Sequence, residues 1–92
     1  MQAEFTQLAE QLARSYPSSE PKLTTFPSGA AMIDVKIGPE IYVVEYLPSV
    51  GGVGVSRMST ATFGWEGYEY PFDNFESAKA FLMSLLQSER NQ

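Results

Sequence analysis

The chain has 92 residues, 43% of them hydrophobic and 18% charged, with a net charge of −5; this composition fits one folded domain with a modest core and excludes a disordered chain. It holds no cysteine and no histidine, which excludes disulfides and thiolate–metal sites and removes the commonest general base and zinc ligand together. No apolar run approaches the roughly 18 residues of a membrane span, and Met1-Gln2-Ala3-Glu4-Phe5 has neither a basic start nor a continuous apolar segment, so a cytoplasmic protein is expected.

Phe5, Leu8, Ala9, Leu12, Ala13 and Tyr16 recur at helical spacing and predict an amphipathic first helix, with Gln7, Glu10, Gln11 and Arg14 on its other side. Pro17 disfavours helical geometry in the residue before it, so this helix should stop at Tyr16 and residues 17–21 should connect. Residues 22–26 predict a short strand, ended by Pro27-Ser28-Gly29. From Ala31 to Ile37 the chain alternates, with Ala31, Ile33, Val35 and Ile37 on one side and Met32, Asp34 and Lys36 on the other. Period two with the charges on one side predicts a half-buried strand.

Gly38-Pro39-Glu40 is short enough to reverse the chain into residues 41–47, the densest β-branched and aromatic run present. Glu45 is the one charge in that run, so both of its faces should be at least partly covered, as suits a central strand. In the resulting hairpin Asp34 or Lys36 should lie opposite or diagonal to Glu45. Gly51, Gly52 and Gly54 sit in the next turn. No lysine follows them and no helix begins there, so they predict a hairpin loop rather than a phosphate cradle. Val53, Val55, Arg57 and Ser59 share one side of a further strand.

Residues 59–62 are small and polar and predict a bulge or loop; Glu66-Gly67 between aromatics suits a tight turn. Tyr68, Tyr70 and Phe72 alternate with Glu69 and Pro71, and Pro71 lacks a ladder donor, so this last strand should lie at an edge or end there. Asp73 or Asn74 should cap a final helix, with Glu76 three residues after Asp73 as in a capping box. Phe75, Ala78, Phe81, Leu82, Leu85 and Leu86 form its apolar face, and residues 88–92 should fray. The expected architecture is one α+β domain spanning residues 1–92. An antiparallel meander of three to five strands carries an N-terminal and a C-terminal helix on one face, leaving the other face free for water or a partner.

Charge is unevenly placed along the chain. Residues 1–36 nearly balance, whereas Glu40, Glu45, Glu66, Glu69, Asp73 and Glu76 face only Arg57. Without a basic stripe, neither nucleic acid nor an anionic membrane is an expected partner. An enzyme is not expected: Asp34 and Glu45 read as a solvated cross-strand pair, and the acids at 66–76 lack calcium-loop spacing, so no catalytic residue, metal ligand or cofactor is assigned. Binding fits better. Trp65, Tyr68 and Tyr70 stand among Glu66, Glu69 and Asp73, and rings fringed by carboxylates suit a basic protein surface. Arg57 is either an internal ion-pair partner or a contact residue.

Val53-Gly54-Val55-Ser56-Arg57 on a strand, an acidic and aromatic stretch, then Phe72-Asp73-Asn74-Phe75-Glu76-Ser77-Ala78-Lys79-Ala80-Phe81-Leu82 resembles small bacterial immunity proteins that neutralise a cognate toxin. The resemblance covers the second half of the chain and transfers no site residues. It implies a cytoplasmic inhibitor that binds one protein tightly. The acidic and aromatic residues themselves give Trp65, Glu66, Tyr68, Glu69, Tyr70, Asp73 and Arg57 as the candidate contact surface, on a monomer or homodimer. The alternative is a small structural or regulatory module that self-associates through a sheet edge or face.

Overall fold

The computed structural model describes residues 1–49, 51–58 and 70–90. Helix α1 (Gln2–Ser15) leads into a 3-10 turn at Pro17–Ser19. Strands β1 (Lys22–Thr25), β2 (Ala31–Ile37), β3 (Glu40–Tyr46), β4 (Val53–Arg57) and β5 (Tyr70–Phe72) follow, and α2 (Phe75–Arg90) closes the order. The five strands form one antiparallel sheet in the order of the chain. The α+β meander with two helices is therefore the observed fold.

The predicted central run is β3, third of the five strands. Alternation in β2 also holds: Ala31, Ile33, Val35 and Ile37 are buried while Met32, Asp34 and Lys36 are not. Register carries that buried face across the sheet. Ile33 stands opposite Leu23 and Val44, Val44 opposite Val55, and Val55 opposite Tyr70. Against this face pack Phe5, Leu8 and Leu12 of α1 and Phe75, Ala78, Leu82 and Leu86 of α2. The Phe5 and Phe75 rings meet at 5.5 Å between centroids, which joins the two helices over the sheet. Ala13, expected on the apolar stripe, is exposed. It lies about 100° round the helix from Leu12, outside the narrow arc that one sheet contacts.

Tyr16 ends α1 with its N–H donating to the Leu12 carbonyl at 2.8 Å. Ser19 is buried there; its Oγ donates to the Tyr16 carbonyl at 2.6 Å. At the other end of the chain Asn74 is the cap of α2: its Oδ1 accepts the Ser77 N–H at 2.9 Å. That choice puts Ser77, not Glu76, at the third helical position, so no Asp73–Glu76 capping box forms, and Glu76 instead places its charge in the first turn. The helix continues to Arg90, past the point where the polar tail was expected to fray.

The second face of the sheet is less open than expected. Val43 is 2% and Ser56 9% exposed, and Gly54 is buried. Val43 lies in the middle strand with Asp34 on one side and Ser56 on the other.

Candidate binding surface

Four of the seven candidate contact residues, Trp65, Glu66, Tyr68 and Glu69, lie outside the described residues, as do the predicted loop at 59–62 and the turn at 66–67. The other three are placed by β4, β5 and the start of α2. Tyr70 pairs with Val55, on the helix-covered face. Its ring lies 4.7 Å from that of Phe81, and Phe72 lies 5.5 Å from the same ring. Both rings are thus rooted in the core and half-exposed. Asp73 follows β5 and is exposed. Arg57 pairs with Tyr42 at the far end of β4 and is engaged within the molecule, not a free cation. Asp73 and Arg57 therefore stand at opposite ends of the sheet, with Tyr70 between them.

Topology sorts the charges by these two ends. Gln2 anchors the start of α1 to the β1–β2 turn, its Nε2 donating to the carbonyls of Phe26 (2.9 Å) and Ala30 (3.0 Å). The β3–β4 turn and the start of α2 lie at this end too: Pro48 packs near Gly29, and Gly52 lies against the Phe72 carbonyl. Here the described charges are Glu4, Glu45, Asp73 and Glu76 together with the Met1 ammonium, which lies 3.6 Å from the Glu4 carboxylate; the first lysine or arginine is Lys79, a turn into α2. Arg14, Lys22, Lys36 and Arg57 all fall at the other end, with Glu20, Glu40 and Glu89. Acids in the first turns and Arg14 in a last turn also suit the two helix dipoles.

Asp34 and Glu45 are diagonal on the second face, since Asp34 pairs with Val43 and Glu45 with Met32. Burial raises the Glu45 carboxyl above its ordinary value, and the buried Oδ1 of Asp34 has no hydrogen-bond partner among the described residues. The two acids lie flat on adjacent strands rather than across a cleft. A cleft of about 440 Å³ lies elsewhere, where Tyr16, Pro17, Ile37, Gly38, Leu86 and Glu89 meet; among the described residues that line it, Glu89 is the one carboxylate and Lys36 the one cation. Among the described residues no three acidic side chains converge as metal ligands, and no helix is long and apolar enough to cross a membrane.

The separation of charge between the two ends was not foreseen from the sequence. Its signal was there, in Glu4 and Glu76 just inside the helix starts and Arg14 just before a helix stop. Reading it requires knowing that both helices run in the same direction along the sheet. Comparison with known proteins finds no matching family model, no similar curated protein and no similar solved structure.

Proposed function

We propose that this is a non-enzymatic binding protein of the immunity or inhibitor type, which occludes a basic site on a partner protein. The observation that carries the reading is the acidic end of the molecule: Glu4, Glu45, Asp73 and Glu76 share it, opposed among the described residues of the helix starts and turns there by the Met1 ammonium, which pairs with Glu4. A surface of one sign steers an oppositely charged partner and fixes its orientation. Asp73 joins that end to the acidic and aromatic segment ahead of it, where Trp65, Tyr68, Glu66 and Glu69 supply the residue types that anchor protein interfaces. The likeness to toxin-neutralising proteins points the same way, toward a cytoplasmic inhibitor.

The test begins with the protein encoded beside this chain in its native operon. Co-expression should protect cells from that neighbour, and the two should co-purify. Trp65→Ala and Glu69→Lys should each weaken the complex about tenfold or more, the loss of one interfacial anchor. Unchanged affinity in both variants would remove this surface from the account.

A further inference from the structure

The outer edge of the sheet at β1 has the geometry to pair with a second copy of itself. The β1–β2 ladder continues through Phe26, whose N–H donates to the Ala30 carbonyl at 3.0 Å. Hydrogen bonding alternates along an antiparallel pair, so Lys22, Thr24 and Phe26 turn their backbone groups inward, and Leu23 and Thr25 turn theirs outward. Those four outward groups, two N–H and two C=O, have no hydrogen-bond partner among the described residues. The opposite edge of the sheet is poorer: β5 has three residues and Pro71 at its centre.

We propose that the chain forms a homodimer by antiparallel β1–β1 pairing about a two-fold axis through Thr24. The prolines select this register. Centred on Thr24, Leu23 of each copy exchanges both backbone bonds with Thr25 of the other, which makes four bonds in all. Centring on Leu23 would require Pro21 as a donor, and centring on Thr25 would require Pro27; neither has an N–H. In the selected register Thr24 faces its own copy across the axis, and Lys22 faces Phe26. Phe26 is 41% exposed in one chain, and the Lys22 stem covers it in two.

A second copy fits this edge because the edge is complementary to itself: Leu23 and Thr25 each offer an outward N–H and C=O, and the flanking prolines leave one register in which they all pair. Antiparallel pairing uses every one of those groups. It also runs the two α1 helices in opposite directions, so their dipoles oppose. Helix α1 lies over β1 and β2. With strands about 4.8 Å apart, the two copies of α1 come to roughly 10 Å, which is helix-packing distance. The flank of α1 turned away from α2 carries Gln2, Thr6, Ala9 and Ala13, which are uncharged and mostly small. Exposed Ala13, which the core leaves unused, falls on this flank.

The chain has no cysteine, so single-cysteine variants report the register. Sedimentation velocity from micromolar to millimolar concentration should show wild type passing from one chain to two. Thr25→Pro removes only an outward N–H and should stay monomeric with the wild-type circular dichroism spectrum. Thr24→Cys should cross-link on mild oxidation, because facing residues of a non-hydrogen-bonded pair have Cα atoms about 4.5 Å apart, within disulfide range. Lys22→Cys should cross-link far more slowly, its copies being offset by four residues. A wild-type protein that stays monomeric throughout would overturn the proposal, as would a dimer retained in Thr25→Pro or equal cross-linking at positions 22 and 24.

Discussion

Glu45 shows how a single side chain in this sheet departs from a simple surface reading. It sits beside buried Val44 and Gly54, on the face opposite the helices, and burial raises its carboxyl above the ordinary value. A raised pKa means that the folded protein binds a proton the unfolded chain has released. Stability should therefore fall as pH rises from the unfolded to the folded value of this group, and remain lower at neutral pH. Glu45→Gln removes that cost. In urea denaturation the variant should be more stable than wild type at pH 7, and the difference should shrink as the pH is lowered through the carboxylate range. A variant less stable than wild type at pH 7 would mean that the Glu45 charge is favourably partnered.

At the scale of elements, most of the fold was legible because period, punctuation and turn chemistry agree. Alternation in Ala31–Ile37 defined β2 to the residue, Pro17 stopped α1, and Pro71 put β5 at an edge. Where the reading failed, tertiary placement decided. Asp73 and Asn74 are equally good caps in isolation, and the position of β5 selects Asn74. Asn74→Ala should cost about 1 kcal/mol in thermal or urea unfolding, while Asp73→Ala should cost distinctly less. Ala13 follows the apolar spacing of α1 but falls outside the arc that meets the sheet, and Val43 is buried on the face that the alternation leaves to solvent. The two helices meet through few residues, so the ring pair between their starts weighs heavily in joining them. Phe5 is fully buried and in ring contact with Phe75. Phe5→Ala should cost about 3–5 kcal/mol, a large part of the roughly 5–15 kcal/mol available to a small domain. A midpoint shift of less than a third of that would show that the two helices are held by something other than this contact.

Across the whole molecule, helix direction turns a modest net charge into a polarised one. Both helices start at the same end of the sheet, and each has an acid in its first turn: Glu4 in α1 and Glu76 in α2, with Asp73 just ahead of α2. The candidate site was legible in the sequence only as a list of residue types. Its acidity along the chain was visible, but Arg57 and Asp73 look like neighbours in a short acidic stretch and lie at opposite ends of the sheet, because β4 and β5 run antiparallel between them. Tyr70 likewise reads as a contact ring and has one side against Phe81. A basic partner would therefore approach the end that bears Asp73, which the proposed β1 pairing leaves accessible in both copies.

The affinity of the co-purified partner for wild type and for Asp73→Lys/Glu76→Lys, measured by calorimetry across a range of salt concentrations, tests the docking account most directly. Binding by wild type should weaken as salt rises, and the double reversal should bind about tenfold or more weakly with most of that salt dependence gone. Equal affinity and an equal salt slope in the two proteins would contradict an acidic docking end.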